Sequence, residues 1–573
     1  MNISEIIRLI PQKYRRQGIG VTLSVLLQAL LNFIGLALLI PLLLLILDPQ
    51  SIDSSSWVGR FRTEMHISND TVFVVLICVG TGGLIVFKNV LNLFINTYRI
   101  NYVNRLFLYF SEKMYTTYFR KGLLFVKQNH TTAFTHKINR ICFIFAQGIV
   151  SRLFVMGGEV LLLLMIGGTL LFYSYFLALL LVLCLIPVVW IYYFRIRKKI
   201  SQYGKLENEI WRKQTRLTTE TFRGYSEVRI NRAFPFFAKR FREGLSLIAF
   251  YQEQLERMLS IPGGITEIGI AAGMILLVLF NKGDASMKVT FGLFAVAALR
   301  LLPSVRALIT GWMQLKNNGY VVDTIREIFD TGEDELSGTN DWLSVPQAPL
   351  HFNQKIEING LTFRFPDAGA DEPSVLRNFS LTILKGERIG IRGISGVGKT
   401  TLFNLLLGLY PTQEGSIRID GIPLDASRYA AWHGLTGYVP QDVFIMDGTL
   451  VENIALGKIP EEIDRNRIKN VLETVRLSTF VASLPEGIDT PVGENGCRLS
   501  GGQRQRIGIA RALYKQAEVL FFDEATSSLD SMTEKEITES IRELSDNHKE
   551  LTIIMISHRE STLAFCDRTV NLE

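Results

Sequence analysis

Residues 393–400 read GISGVGKT and lie between two apolar stretches, 389–391 and 401–409. The first stretch is typical of a short buried strand, and the second has the length and composition of a helix. Glycines at this spacing let the backbone curl around a phosphate, so that successive N–H groups and the helix N-terminus point at it. The sequence therefore predicts a P-loop, whose nucleotide-contacting residues are Gly393, Ser395, Gly396, Gly398, Lys399, Thr400 and Thr401.

A second chemical element follows another apolar run. Residues 519–522 read VLFF, as in a strand buried on both faces, and lead directly into Asp523 and Glu524. An Asp-Glu pair is usually a solvated turn, but a buried strand that ends in the pair argues against that interpretation. Beside the P-loop, Asp523 would hold Mg²⁺ together with the Thr400 hydroxyl, Lys399 would reach the phosphates, and Glu524 would polarise the attacking water.

A third element, LSGGQ at residues 499–503, precedes a predicted helix. Its polar residues Ser500, Gly501, Gly502 and Gln503 would form a second anion-binding helix N-terminus. The stretch resembles the signature of ATP-binding cassette (ABC) proteins without a substitution. This resemblance implies that the signature of one subunit closes over ATP on the P-loop of another. A homodimer is therefore expected, and a heterodimer with another half-transporter remains the alternative.

Further positions match the same family pattern. Gln441 resembles the glutamine that links Mg²⁺ to the membrane domain, and His558 resembles the switch histidine that contacts the γ-phosphate. Ser528, Leu529 and Asp530 resemble the D-loop. Phe365 stands before Pro366, where the family usually has a tyrosine that stacks on adenine. Stacking needs the ring face rather than the hydroxyl, although either Phe365 or the nearby Phe363 could instead belong to the core.

The remaining half of the chain is apolar. Apolar residues make up 48% of the sequence and charged residues 20%, a high ratio for a chain that also carries an ATPase domain. Segments long enough to cross a bilayer lie at residues 18–47, 71–98, 143–172, 175–194, 258–281 and 289–315. We therefore expect an α-helical transmembrane domain with six spans, of the ABC exporter type, joined to an α/β P-loop cassette domain.

Basic residues indicate the orientation. The stretches 99–142 and 195–257 are rich in Arg and Lys, whereas the loops 48–70, 173–174 and 282–288 hold few. Both termini and the ATPase domain are therefore predicted to be cytoplasmic. The expected domains are an amphipathic interfacial helix over 1–17, the transmembrane domain over 18–325, a linker over 326–355 and the cassette over 356–573.

Both basic stretches are expected to be helices that continue into the cytoplasm. Residues 220–227 resemble the coupling region of exporters, where a short helix docks on a cassette. The alternative is a merely solvated basic face. In the first stretch the equivalent region is placed near residues 125–132, by position alone.

Charged residues inside the predicted spans indicate the cargo. Each costs about 2.5 to 3.5 kcal/mol at mid-bilayer, so a partner or a water-filled cavity is expected. The candidate cavity residues are Lys88, Glu159, Glu267, Arg300 and Arg306. Glu267 and Arg300 reach similar depths and could simply neutralise each other. Arg300 and Arg306 lie about 120° apart on an ideal helix, so they share a cavity only if Pro303 kinks it.

The excess of cations suits a phosphate or pyrophosphate head group. Residues 298–310, the Ile40-Pro41 step with Asp48 beyond it, Glu159 and Glu267 are similar to bacterial lipid-linked oligosaccharide flippases. The external loop 48–70 could form a short amphipathic helix, as those flippases have. The resemblance implies ATP-driven flipping of a lipid-linked oligosaccharide in the bacterial inner membrane, with membrane lipids as neighbours.

Other functions remain to be compared with this one. The cargo could be another lipid, a peptide or a drug. A soluble ABC machine is excluded by the spans, and importers generally keep the membrane and ATPase domains on separate chains. A nucleotide-gated channel or regulator would be expected to have a degraded hydrolysis site, whereas Glu524 and His558 are present. The net charge of +7 follows from the basic cytoplasmic stretches and requires no nucleic acid.

Overall fold

The computed structural model describes residues 3–39, 64, 70–173, 175–176, 179–180, 183, 190, 194, 197–280, 287–329, 350–369, 373–525 and 531–572. The chain divides into two compact units. The membrane unit comprises Met1–Tyr118 and Asn129–Thr331, and the cassette unit comprises Phe119–Gln128 and Gly332–Glu573. A short piece of the N-terminal half, residues 119–128, thus groups with the ATPase domain.

The membrane unit is helical. Its α-helices are α1 (Ile3–Leu9), α2 (Gln12–Ala37), α3 (Asp70–Arg120), α5 (Thr131–Thr135), α6 (Ser151–Tyr173), α7 (Arg197–Arg223), α8 (Tyr225–Ile230), α9 (Phe234–Phe280), α10 (Met287–Asn317) and α11 (Gly319–Phe329); α4 (Gly122–Gln128) belongs to the cassette unit. Two π-helical turns, His136–Ile141 and Ile144–Val150, join α5 to α6.

Within the described residues, five helices are long and apolar enough to cross a membrane. They correspond to the predicted spans except 175–194, most of which lies outside the described residues. Helix α3 has 51 residues and α9 has 47. At about 1.5 Å per residue each is more than twice as long as a hydrocarbon core of about 30 Å. The prediction that the basic stretches continue as helices is confirmed.

The N-terminal helix differs from its prediction. Instead of one helix over 1–17, α1 ends at Leu9, and α2 begins at Gln12 after Pro11. Proline has no N–H to donate and disfavours helical geometry in the residue before it, so the chain breaks there. The apolar face is also split, because Ile6 is buried whereas Ile3 is 55% exposed. Residues 12–17 therefore belong to the first long membrane helix.

The cassette unit contains two sheets. Strands β1 (Lys355–Phe363), β2 (Leu376–Leu384), β4 (Glu414–Ile419) and β5 (Ile422–Pro423) form an antiparallel sheet in the order β2-β1-β4-β5. Strands β3 (Arg388–Arg392), β6 (Thr436–Val439), β7 (Val519–Asp523), β8 (Thr552–Ile556) and β9 (Arg568–Asn571) form a parallel sheet in the order β6-β7-β8-β3-β9.

The helices of this unit after α4 are α12 (Lys399–Leu406), α13 (Tyr429–Leu435), α14 (Leu450–Ile454), α15 (Arg465–Thr474), α16 (Ser478–Ala482), α17 (Gly501–Tyr514), α18 (Ser531–Asn547) and α19 (Glu560–Leu563). Strands β7, β8 and β3 are neighbours, and all run parallel. Their carboxyl ends therefore meet at one edge, where a ligand binds in sheets of this class.

Two hydrophobic cores cover the two faces of the parallel sheet. Phe521 and Ile554 lie in the core that contains α12, whereas Phe522 and Ile553 lie in the core that contains α17. Successive residues of a strand point to opposite faces, so α12 and α17 lie on opposite sides of the sheet.

Candidate nucleotide-binding and membrane sites

The P-loop follows β3 and enters α12 with the backbone geometry that its glycines allow. Gly396 and Gly398 have φ values of +86° and +105°. A Cβ at Gly398 would also lie only 2.8 Å from Cγ1 of Val375. The Lys399 amine is 5% exposed and donates to the carbonyl oxygens of Gly393 and Ile394 at 2.9 and 3.0 Å. These bonds hold the lysine inside the loop, which is where the sequence predicts phosphate.

Asp523 is placed opposite the first turn of α12. The Thr400 hydroxyl lies 3.4 Å from Oδ1 of Asp523, and the Tyr438 hydroxyl donates to Oδ2 at 3.3 Å. Burial raises the pKa of Asp523, and the charge of Glu524 acts in the same direction, while the two hydroxyls oppose the shift. A carboxylate and a hydroxyl that converge in this way fit the oxygen ligands that Mg²⁺ prefers.

Tyr438 was not identified from the sequence. It lies on β6, which pairs with β7, so that its ring can reach the carboxyl end of the neighbouring strand. Burial beside Asp523 raises the pKa of this phenol, which therefore stays protonated and donates. A tyrosine in an otherwise apolar strand directly before the Gln441 motif was the available signal.

Glu524 and His558 meet because β7 and β8 are adjacent. Nε2 of His558 lies 3.1 Å from Oε1 of Glu524, and both side chains are partly exposed. Glu524 has a φ of +50°, and its N–H donates to the carbonyl of Ile556 at 3.0 Å. The left-handed backbone turns the carboxylate out of the strand direction, and only about a few per cent of non-glycine residues adopt it.

The signature residues form a well-capped helix start. The Ser500 hydroxyl accepts from the Gln503 N–H at 3.2 Å, and the Gln503 side chain accepts from the Ser500 N–H at 2.8 Å. Gly501 and Gly502 begin α17, so their N–H groups point out of its N-terminus. Because α12 and α17 lie on opposite faces of the sheet, the sheet separates this terminus from the P-loop of the same chain.

Gln441 is tied to the signature helix through its backbone. The buried side chain of Gln505, on α17, donates to the carbonyl of Gln441 at 2.7 Å. The side chain of Gln441 itself is exposed. The predicted D-loop, with Ser528, Leu529 and Asp530, lies outside the described residues.

The two candidate adenine-stacking rings, Phe363 and Phe365, have different environments in the structure. Phe363 is 1% exposed and stacks on Tyr410, with ring centroids 5.5 Å apart, so it belongs to the core. Phe365 follows the end of β1, is only partly buried, and meets Phe363 edge to face at 5.3 Å. Phe365 is therefore the ring of this pair that has surface left for a ligand.

Helix α4 docks on the cassette. Leu123 and Leu124 pack against the core that contains α12, and the Gln128 amide donates to Asp367 at 3.2 Å. The Lys127 amine lies 5.8 Å from the centroid of the Tyr410 ring. Helix α4 begins three residues before the predicted docking region, 125–132, and ends four residues before that region ends, since the next helix begins at Thr131.

The second predicted coupling region is an exposed turn between helices. Gly224 separates α7 from α8, and large apolar side chains around it face solvent. Phe222 is 72% exposed, Tyr225 55% and Ile230 80%. Large apolar side chains are therefore exposed at this turn, and the coupling role of residues 220–227 stays a prediction.

The charged residues predicted to line a membrane cavity lie against different helices. Lys88 lies against α2, with its Nζ 3.1 Å from where a Cβ of Gly35 would stand. Arg306 instead lies against α9, with its Cζ 3.7 Å from where a Cβ of Gly263 would stand. Glu267 forms no ion pair with Arg300 in the part of the chain that the structure describes. The alternative in which these two neutralise each other is therefore not observed. Oε2 of Glu159 and Nε of Arg300 are buried without a hydrogen-bond partner among the described residues.

Comparison with known proteins agrees with this geometry. Residues 376–527 match the family model described as ABC transporter. An ATP-dependent lipid A-core flippase of Burkholderia orbicola is 29% identical over 491 residues, covering 83% of this chain and 79% of the relative. The flippase of the same name from Burkholderia pseudomallei is 30% identical over 411 residues, covering 70% of this chain and 66% of the relative.

A solved structure shows the same fold. The structure of a bacterial Atm1-family ABC exporter with ATP bound superposes with a TM-score of 0.73 at 24% identity, covering 98% of this chain and 93% of that one. The cassette match, the relatives and the shared fold lead to one conclusion. This chain is an ABC half-transporter of the exporter type, a multi-pass membrane protein whose ATPase domain is coupled to transport.

Proposed function

We propose that this protein flips a phosphorylated, lipid-linked saccharide across the bacterial inner membrane, driven by ATP hydrolysis in a dimer. The observation that supports this cargo is a buried Nε of Arg300, in membrane helix α10, that has no hydrogen-bond partner among the described residues. A buried guanidinium group needs an acceptor, and a phosphate or pyrophosphate supplies one together with a compensating charge. The relatives are named as flippases of a lipid, which supports the same class of cargo.

The nucleotide site supports hydrolysis. Lys399 and the N–H groups of the P-loop would bind the phosphates of ATP, with Phe365 against the adenine. Thr400, Asp523 and the side chain of Gln441 would hold Mg²⁺, which when bound neutralises phosphate charge. Glu524 would orient and polarise the attacking water, and His558, 3.1 Å from its carboxylate, would hold the carboxylate and contact the γ-phosphate.

A dimer would complete this site. The signature terminus at Ser500 and the P-loop lie on opposite faces of the sheet, so a second copy would supply the signature to each bound ATP. The exposed side chains of Phe222, Tyr225 and Ile230 would dock on a cassette and carry its closure to the membrane helices. Alternating closure and opening would then expose the cavity to one side of the membrane at a time.

Other functions fit the structure less well. An exporter of another lipid, a peptide or a drug has no particular need for an unpartnered buried guanidinium such as that of Arg300 in its membrane helices. A nucleotide-gated channel or regulator has no need for a preserved Glu524–His558 pair. The basic stretches support a cytoplasmic location for both termini and the cassette.

The test is movement of a fluorescent polyprenyl-pyrophosphate oligosaccharide across proteoliposomes. We expect ATP-dependent movement by the wild type, none by Glu524→Gln, and strongly reduced movement by Arg300→Ala. The matched control is Arg257→Ala, because this arginine is exposed on the cytoplasmic part of α9 and makes only a 3.9 Å ion pair. Normal ATPase activity without any movement of this lipid would remove the proposed cargo.

A further inference from the structure

A large cavity lies in the membrane unit between the π-helical turn that follows α5 and the middle of α7. Its volume is about 740 Å³, within the range of small-molecule sites. The basic side chains that line it are His130, His136, Arg140, Arg212, Lys213 and Arg216. Glu209 is the single carboxylate of this lining. The cavity thus concentrates positive charge in the cytoplasmic part of the unit.

Most of this charge is not neutralised by the protein. Arg216 pairs with Glu220 at 2.6 Å and lies 3.4 Å from the His130 ring. Arg140, Arg212 and Lys213 form no ion pair with any carboxylate that the structure describes. Arg140 and Arg212 both act on the imidazole of His136, so the cations from the two elements face a shared space. Cations gathered in a concave site raise the local concentration of anions.

The backbone that carries part of this lining is also unusual, which supports a binding site rather than a surface groove without a function. His136, Asn139 and Arg140 stand on a π-helical turn, His136–Ile141. Such turns are rare and frequently occur at functional sites, because the wider turn directs side chains away from the regular helical positions. The nearby threonines add little, since Thr135, Thr215 and Thr219 donate to carbonyls of their own helices. The basic side chains are therefore the main hydrogen-bond donors that this cavity offers to a ligand.

A second cavity of about 410 Å³ adjoins the first and shares His136, Arg140 and Thr215 with it. Apart from the shared His136 and Arg140 and the carboxylate of Glu207, its lining is neutral and mostly polar. It contains Asn208, Asn317, Asn318 and Tyr320, and it includes Trp211. Oδ1 of Asn317 is buried and has no hydrogen-bond partner in the described residues. Amides and an aromatic ring suit the hydroxyls and apolar faces of a sugar, just as the cations next to them suit a phosphate.

We propose that these joined cavities bind a phosphorylated saccharide, with the phosphate among Arg140, Arg212 and Lys213 and the sugar beside Trp211 and the asparagines. The site lies on the cytoplasmic side of the predicted spans, separate from the charges at Lys88 and Arg300. It deepens the proposed function, on which it rests for the identity of the natural ligand. The saccharide phosphate could be free or be the head group of a lipid.

The experiment uses the full-length protein in nanodiscs and follows tryptophan fluorescence, with Trp211→Phe to identify the signal from the cavity. The probes are N-acetylglucosamine 1-phosphate, N-acetylglucosamine, inorganic phosphate and polyprenyl-pyrophosphate N-acetylglucosamine. We expect the saccharide phosphate to bind more tightly than either the neutral sugar or phosphate alone. Arg212→Ala and Arg140→Ala should each weaken its binding about tenfold, the effect of one charge-assisted hydrogen bond.

Lys205→Ala is the control, because Lys205 is an exposed cation on α7 that does not line either cavity. It should bind like the wild type. Equal binding by all the variants would overturn the proposal, and so would equal affinity for phosphate and saccharide phosphate. Two variants on different helices guard against misfolding of one. Tighter binding of the lipid-linked probe would indicate a head group, and equal binding a free sugar phosphate.

Failure of the transport proposal would look different. Saccharide phosphate binding that depends on Arg212, without flipping of the lipid in proteoliposomes, would keep this site and reject the proposed function. Normal flipping by Arg212→Ala and Arg140→Ala, together with binding of saccharide phosphate as tight as that of the wild type, would keep the function and reject the site.

Discussion

The Tyr438 hydroxyl donates a hydrogen bond to Oδ2 of Asp523 at 3.3 Å, and Thr400 approaches the other carboxylate oxygen at 3.4 Å. The two hydroxyls hold a buried carboxylate in one orientation and favour its ionised form. An aspartate that binds Mg²⁺ must be deprotonated, so the two bonds bear directly on the pH range of activity.

Tyr438→Phe should therefore shift the pH dependence of ATPase activity. Removal of the hydroxyl raises the pKa of Asp523 further, because burial then acts with less opposition. Activity that requires the ionised carboxylate is lost as the pH falls through this pKa, so the acid limb of the profile should move to higher pH. The measurement is kcat/KM against pH, with the Mg²⁺ dependence of nucleotide affinity. Tyr514→Phe, at a hydroxyl that accepts from the Asp464 N–H, should leave the profile unchanged.

Glu524→Gln should reduce ATP hydrolysis by about a hundredfold or more, the contribution of a general base. ATP binding should persist, because the amide keeps the shape of the side chain, and a closed ATP-filled dimer should accumulate. Crosslinking or size-exclusion chromatography with ATP would detect it. The control is Glu539→Gln, on the exposed face of α18. Hydrolysis at the normal rate in Glu524→Gln would refute the role of this carboxylate.

Gly398→Ala should weaken ATP binding about tenfold. The φ of +105° is strained for alanine by about 1–3 kcal/mol, and the added Cβ would lie 2.8 Å from Cγ1 of Val375. The loop must then distort where its N–H groups bind phosphate. The matched control is Gly434→Ala, which should bind ATP like the wild type. Gly434 stands in helix α13, and no atom outside its own helix backbone and its chain neighbours lies within 4 Å of its added Cβ. A fluorescent ATP analogue would measure both affinities.

Glu534→Ala should destabilise the cassette and slow hydrolysis. Glu534 is 6% exposed and accepts from Ser561 at 3.0 Å, from Thr562 at 2.8 Å and from Arg559, the residue after His558. Its loss removes three hydrogen bonds to a buried carboxylate, including that of the buried Thr562, at about 2–3 kcal/mol. For a domain of this size the cassette transition should fall by roughly 5–10 °C. Differential scanning calorimetry should show no such change in Glu539→Ala.

Leu124→Asp should uncouple the ATPase from its substrate. Leu124 packs against the cassette core, so a charge there would separate α4 from the cassette. Basal hydrolysis should remain, because the P-loop and Glu524 are untouched, while stimulation by transported lipid should disappear. The control is Val126→Asp, which adds the same charge at a side chain that is 41% exposed on the same helix and should keep the stimulation. Equal stimulation in both variants would show that this contact does not transmit the signal.

Much of the nucleotide site could be predicted because its residues are close in sequence to the turns that position them. The glycines of the P-loop, the strand that ends in Asp523 and the capping box at Ser500 are all local patterns. The segment predicted as one interfacial helix over 1–17 is divided between α1 and α2, because Pro11 interrupts the helix. Helix α4 begins three residues earlier and ends four residues earlier than the predicted docking region, because position alone does not show where a helix begins or ends.

The ABC cassette, the apolar membrane helices and the nucleotide-binding residue types can be predicted from sequence, because each depends on short-range spacing or composition. Which distant residues meet depends instead on how the strands pair and the helices pack. Tyr438 reaches Asp523 through the pairing of β6 with β7, Gln128 reaches Asp367 through the docking of α4, and Arg140 and Arg212 line one cavity from two elements. Strand order and helix packing set these contacts through long-range burial, which spacing along the chain does not specify.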